Sequence, residues 1–433
     1  MFAVCLSYFS IIAASAIALL LLIQWIGQLR NSDVTLNIAF PWHRFFLTHW
    51  IRPRNWPKVY IVVSGIILAV VCSRLLIFLL GGIWSLYFTD EHTLNFNAIW
   101  LKWDASHYLF IAENGYVTAP HDQAVLIAFY PLYPLLIKCF WFILRDYSQA
   151  ALLVSSLSLI TACFVLYKLV NAQFSSSTAA KAVLFLIVSP FSVFMGLVLT
   201  ESLFLALVLT CFYSLRERRW LMAGVAGFFA ALTKNQGILL LVPYLMEAIA
   251  AIVHQRRQPR VQTSALCLGL KTIGPALLVP AGFTVYILIN YLVFGNSFQF
   301  LEFQKTHWYN SFGFFAQNIK QMALQADSYP DPGYRFSIMV LQPAVFVVAL
   351  LLLFAAVIKR IPASTNVFSL LFLLVSFSPT WLISGARYTT ALFFVPMLLA
   401  ILATTTQRLI VLSGLSISLM SFFVIVYVEG VLF

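Results

Sequence analysis

The sequence predicts an all-α polytopic membrane protein: a bundle of about 10–12 transmembrane helices, with a re-entrant or juxtamembrane segment and polar loops gathered on the outer face. Three observations predict it. Hydrophobic residues make up 62% of the chain and charged residues 9%, and the mean hydropathy is +0.94, so there are too few polar side chains to clothe a water-soluble globule. Apolar runs of spanning length recur from one end to the other. The Lys and Arg residues sit in short clusters between those runs, the pattern of cytoplasmic loops. The net charge of +12 is therefore read as membrane sidedness, and nucleic acid is not expected as a partner because no basic groove or stacking module is visible.

The run 2–26 is long enough to span, and without a positive segment before it this run reads as a retained helix rather than a cleaved signal. The linker that follows holds Arg30, Arg44, Arg52, Arg54 and Lys58 among Trp42, Trp50 and Trp56, a basic aromatic mixture suited to the cytoplasmic face. Residues 1–57 are thus expected to form an extra N-terminal helix and basic linker ahead of a membrane domain, 58–433. The second span, about 59–80, leads outward. The segment 81–123 then carries Asp90, Glu91, Asp104, Glu113 and Asp122 against the single Lys102, the balance of an outer loop.

Apolar runs near 124–144, 149–170, 178–198 and 202–215 come next, before the cluster Arg216-Glu-Arg-Arg219. Four crossings from outside would leave that cluster outside, so one run does not cross. The first is the candidate, because Pro131 and Pro134 disfavour a regular early helix and its tyrosines suit an interface. Three crossings then put Lys168 inside, Glu201 outside and Arg216 to Arg219 inside. Two arms, 221–232 and 238–252, meet at Thr233-Lys-Asn-Gln-Gly237 near the outer side. His254-Gln-Arg-Arg-Gln-Pro-Arg260 falls inside, 266–294 exits, and 295–335 is a second polar outer stretch. Lys359 and Arg360 return inside, Ser384-Gly-Ala-Arg387 lies outside, Arg408 inside, and a last run exits. All six cysteines lie in apolar segments without metal-ligand spacing, and read as buried small hydrophobes rather than disulfides or metal ligands.

This parity collects Asp104, Glu201, Lys234, the 304–308 region and Arg387 on one side. A central Asp, Lys or Arg costs about +2.5 to +3.5 kcal/mol on insertion scales, so charges at helix ends around an outer cavity are tolerable where scattered mid-depth charges are not. The stretch 99–115 is the densest part of the group. Asp104, His107, Tyr108 and Ile111 fall at i, i+3, i+4 and i+7 and share one face of a helix, Trp100 and Trp103 anchor it at the interface, and Asn114-Gly115 stops it. A carboxylate, fixed cations and apolar grooves are the parts needed to move a group between lipid-anchored substrates. No Gly-rich phosphate loop, HExxH, G-x-S-x-G or zinc pattern competes with that reading.

Trp103-Asp-Ala-Ser-His-Tyr-Leu-Phe-Ile-Ala-Glu-Asn-Gly-Tyr116 resembles the early loop of the GPI mannosyltransferase 2 (PIG-V) family. Further motifs follow in the family's order: Phe129-Tyr-Pro-Leu-Tyr-Pro134, Ser189-Pro-Phe-Ser with Thr200-Glu-Ser-Leu-Phe204, Lys234-Asn-Gln-Gly237, and Phe294-Gly-Asn-Ser-Phe298 leading to Gln304 and Trp308. The resemblance covers about residues 58 to 433 and departs from the family at Lys234, where arginine is usual, so that a bidentate phosphate contact there gives way to a point charge. It implies a GT-C-like fold, a polyprenyl-phosphate-linked sugar donor, mannose as the sugar, a lipid or glycan acceptor, inversion at the sugar, and no nucleotide-sugar site. No cofactor is expected.

Under that resemblance Asp104 takes the role of general base toward the acceptor hydroxyl, worth about 10²–10⁴-fold. Arg387, Lys234 and Arg74 are candidates for the donor phosphate, where a fixed cation stabilises charge on the leaving group. Glu201 is expected to hold a sugar hydroxyl or a neighbouring base, or simply to sit at the positive end of a helix dipole. His107 is a partner for Asp104 or substrate, or a satisfied interfacial histidine. Gln304, His307 and Trp308 read the sugar or cap the cavity, and Arg74 is alternatively a snorkelling arginine. The 40 phenylalanines are chiefly packing and lipid contact. Two other function classes fit the composition: a transporter, which needs broken helices with ionisable groups at the midplane, and a non-catalytic assembly subunit.

Overall fold

The computed structural model describes residues 2–30, 56–90, 92–257, 265–325, 331–380, 382 and 384–432. Asp33, Arg44, Arg52 and Arg54 of the basic linker, Glu91, and Arg260 of the inner cluster lie outside the described residues. Those described are helical throughout, apart from turns, loops and one isolated bridge, Phe312 to Pro379. Lipid offers no partner for backbone N–H and C=O groups, so an apolar run closes its own bonds as a helix.

Among the described residues, seven helices of 22–29 residues are long and apolar enough to cross a membrane, and nine if two bent pairs each count as a span. At 1.5 Å per residue the shortest of them is roughly 33 Å long, sufficient for a hydrocarbon core of about 30 Å. Three shorter apolar helices, Ser176–Ile187, Trp220–Ala231 and Ala363–Ser376, complete the bundle. Side-chain caps set several starts. Asp146 accepts from the Gln149 amide, Ser175 from Thr178 and Thr405 from Arg408.

The segment read as non-crossing is a helix pair, 121–128 and 132–144, bent by 107°. The break falls at 129–131, with Pro131 at the cap of the second helix and Pro134 in its first turn; a proline here has no intrahelical bond to lose. The two arms expected around Lys234 are Trp220–Ala231 and Leu241–Arg256, joined by a 3-10 turn, Asn235–Leu240. That turn folds back so closely that a Cβ on Gly237 would lie 2.3 Å from the Ala230 carbonyl carbon. Only glycine admits such an approach.

The span Tyr147–Asn171, like Pro332–Ile358, is half buried against protein, whereas 22% of the first span is. Tyr147–Asn171 packs on Ser176–Ile187 and Glu201–Arg216, and the latter also packs on Trp220–Ala231. The first helix, Phe2–Arg30, lies against Phe315–Gln325, Gln342–Ile358 and Ala363–Ser376. Gln24 ties it there, its Nε2 donating to the Ile361 carbonyl at 2.9 Å. One reading of the cysteines is corrected. Cys163 and Cys211 are buried, but Cys5, Cys72 and Cys139 are on the outside of the bundle, where an apolar residue needs lipid rather than a protein core to cover it.

Candidate active site

Four charged side chains from four separate elements meet at the end of the bundle. Asp104 and Glu201 are the first residues of the helices Asp104–Asn114 and Glu201–Arg216, where the positive end of the helix dipole favours a carboxylate. Lys234 stands at the turn after Trp220–Ala231, and Arg387 belongs to the one-turn helix Gly385–Tyr388. They form a chain of ion pairs. Arg387 Nη2 is 2.7 Å from Asp104 Oδ2, Arg387 Nε is 3.1 Å from Glu201 Oε1, and Lys234 Nζ is 2.7 Å from the same Glu201 oxygen.

Burial is graded along that chain. The Glu201 side chain is 1% exposed, Arg387 9%, Lys234 11% and Asp104 26%. A charge held away from water survives only when paired, and two acids against two cations leave no net charge. Glu201 anchors both cations from behind, while Asp104 is the acid nearest to open space. Tyr388 adds its ring face to the two cations, at 5.2 Å from Lys234 Nζ and 5.7 Å from the Arg387 guanidinium carbon.

In front of the chain lies a cavity of about 500 Å³, within the range of small-molecule sites. Asp104, Lys234 and Arg387 are charged residues of its lining, and Phe129, Tyr130, Gln304, Trp308 and Tyr388 add aromatic and polar surface. Two loops that contribute Ser311, Phe312 and Pro379 to the lining are bonded to each other. The Gly313 amide donates to the Ser378 carbonyl at 2.8 Å and the Thr380 amide to that of Ser311 at 2.8 Å, which joins the loop after Trp308 to the one before Arg387. Trp103, immediately before Asp104, has φ 59°. Such a conformation costs a bulky residue about 1–3 kcal/mol and is concentrated at functional sites.

The structure therefore brings together Asp104, Lys234, Gln304, Trp308 and Arg387 around one cavity, with Glu201 behind its wall. His107 and His307 stand outside that lining. His107 lies 5.2 Å from the Phe129 ring, His307 4.7 Å from Trp308 and 5.8 Å from His121, so they form an aromatic border. Burial pushes the His107 imidazole below its ordinary value, Asp104 opposing and His307 reinforcing the shift. Arg74 is not at the cavity. Its guanidinium donates to the backbone carbonyls of Ser192, Met195 and Ile187, away from the cavity at which the expected donor-phosphate contact would be made.

Tyr108, Tyr130 and Tyr388 also line the cavity, and the sequence does not single them out for it. Tyr108 shares the Asp104 face at i+4, and Tyr388 follows Arg387 directly; these were the available signals. Burial holds the Tyr108 phenol well above its usual range, with Asp104 and Glu201 adding to that. Among the described residues, no group of three His, Cys, Asp or Glu side chains is placed to hold a metal.

Residues 128–294 match the family described as dolichyl-phosphate-mannose-protein mannosyltransferase. Over 110 residues the chain is 33% identical to GPI mannosyltransferase 2 of Yarrowia lipolytica, a stretch amounting to 25% of this chain and 31% of that relative. The archaeal oligosaccharyltransferase AglB from Archaeoglobus fulgidus, solved with an inhibitory peptide and a dolichol-phosphate, aligns at a TM-score of 0.44 and 12% identity over 87% of this chain and 56% of that one. The oligosaccharyltransferase of the same organism tethered with an acceptor peptide aligns at 0.43 and 11%, over 83% and 55%. The chain thus spans about a third of the curated relative and about half of these solved ones. The likeness to GPI mannosyltransferase 2 is found again in the curated relative, and the chain is a multi-pass integral membrane protein similar over part of its length to membrane glycosyltransferases.

Proposed function

We propose that the protein transfers mannose from a polyprenyl-phosphate donor to a hydroxyl of a lipid or glycan acceptor at the outer or lumenal face, by a single inverting displacement. The observation that carries this reading is the partly open carboxylate of Asp104, held at 2.7 Å by an arginine whose other side rests on buried Glu201. In the resting site Asp104 Oδ2 is occupied by Arg387. A phosphate monoester or diester anion entering the cavity competes for the same guanidinium, and arginine matches phosphate in a bidentate fork. Donor binding then frees Asp104.

The freed carboxylate takes the proton of the acceptor hydroxyl as that oxygen bonds to the anomeric carbon on the face opposite the leaving group. The anomeric carbon–oxygen bond breaks, its electron pair going to polyprenyl phosphate, whose charge faces Arg387 and Lys234. Glu201 keeps both cations in place but stays paired throughout. Phe129 and Trp308 supply apolar and aromatic surface for a sugar face, and Gln304 a group for its hydroxyls.

The test is transfer of labelled mannose by purified protein from a mannosyl-phosphoryl prenol, with a nucleotide-linked mannose as the comparison donor. Product from the prenol donor alone is expected. Arg387→Gln keeps hydrogen-bonding capacity and loses the cation, so its KM for the donor should rise on the order of tenfold to hundredfold, the worth of a hydrogen bond to a charged group, with the acceptor KM little changed. Equal use of the nucleotide donor, or an unchanged donor KM in Arg387→Gln, contradicts the proposal.

A further inference from the structure

Arg74 stands in the span Tyr60–Phe88 and is buried, 8% exposed, yet among the described residues no carboxylate is within ion-pair distance of it. Backbone carbonyls take the place of an acid. Nη1 donates to Ser192 O at 2.6 Å and to Met195 O, Nη2 to Ile187 O at 3.3 Å, and Nε to Ser73 Oγ at 3.4 Å. Ile187 is the last residue of Ser176–Ile187, where carbonyls lack helical partners and the dipole end is negative. The guanidinium therefore caps one helix and gathers the turn that follows it.

That turn leads straight into the helix that begins with Glu201, and the helix lacks a side-chain cap of its own, since Thr200 makes no capping bond. Its entry is set instead by packing. Gly196 has φ +92°, and a Cβ there would lie 2.9 Å from Arg74 Cδ, so backbone and guanidinium stem are in direct contact. The Gly196 amide donates to Ser202 Oγ at 3.0 Å, linking the turn clamped by Arg74 to the residue next to Glu201. The Leu199 carbonyl accepts from Ser155 Oγ at 3.4 Å on the span Tyr147–Asn171.

We infer that Arg74 is a positioning residue: by clamping residues 187–196 it fixes the start of the Glu201 helix, and through Glu201 the placement of Arg387 and Lys234 at the cavity. This rests on the proposed transfer for its effect on rate, but not for its effect on anion binding. Lysine at position 74 keeps the charge and loses the fork that spans three carbonyls.

A double-mutant cycle tests it in the purified full chain, read both by mannosyl transfer and by binding of farnesyl phosphate, which needs no turnover. Arg74→Lys is expected to weaken farnesyl phosphate binding about tenfold in the wild-type background and less than about twofold in Glu201→Gln, because coupled residues give non-additive effects. A role confined to general stability gives the same factor in both backgrounds and overturns the inference. Should Arg74→Lys not fold, Gly196→Ala presses on the same contact from the other side and must show the same dependence on Glu201; equal factors there overturn it as well. Absence of mannosyl transfer in the wild type with a non-additive binding cycle contradicts the transfer reaction and leaves the positioning role standing.

Discussion

For Glu201 the sequence offers a sugar hydroxyl, a neighbouring base or a plain helix-start setting, and the structure shows a pairing with two cations at once that neither spacing nor composition expresses. One of its oxygens serves both Lys234 and Arg387. The pairing depends on three segments far apart in the chain, and single-sequence patterns report only near neighbours. The position of Asp104, by contrast, was legible, because a carboxylate that follows Trp100 and Trp103 and opens a helix has few settings in an apolar chain. His107 yields a prediction at this scale. Its folded value lies below the ordinary 6.5, so the unfolded chain binds the proton more readily and the folded state is favoured where the ring is neutral. Stability from this group is complete above pH 6.5 and is lost as the pH falls through the lowered folded value. Chemical denaturation followed from pH 7.5 to 5 should show a decline that His107→Gln reduces; an unchanged slope in that variant removes His107 from the explanation.

Helix elements were legible wherever hydropathy ran unbroken, as in the spans at 2–30 and 406–428. They were less so where polar residues and prolines interrupt them. Pro131 and Pro134 announced a departure from a straight span, but the 107° bend depends on what packs around it. The turn at Lys234 was legible as a meeting of two arms, though not its tightness. Gly237 carries that tightness: a Cβ would stand 2.3–2.4 Å from backbone atoms of Ala230 and Ala231, and backbone cannot give way as a side-chain tip does. Gly237→Ala should cost about 1–3 kcal/mol, as overpacking does, and displace Lys234. Detergent-solubilised Gly237→Ala is expected to melt several degrees lower and bind farnesyl phosphate less well, whereas a wild-type Tm shows that the turn has slack.

Across the whole molecule, the parity of basic clusters grouped Asp104, Glu201, Lys234 and Arg387 on one side, and the structure joins the four in one ion-paired chain. Sidedness is checked by labelling. In a background without native cysteines, Thr118→Cys and Tyr309→Cys, both exposed, should react with an impermeant thiol reagent in sealed vesicles oriented as in the cell. Arg256→Cys, exposed at the other end, should react only after permeabilisation, and the reverse pattern overturns the topology. What parity could not supply was which of the gathered groups touch, or that Arg74 turns inward to carbonyls, since sequence gives depth along a helix but not the face its neighbours occupy. The central claim is that Asp104 is the base, and transfer by Asp104→Asn measures it most directly. Asparagine is nearly isosteric and cannot accept the proton, so a loss of about 10²-fold or more in kcat is predicted with expression and Tm close to wild type. A well-folded Asp104→Asn protein that transfers mannose at the wild-type rate would contradict it.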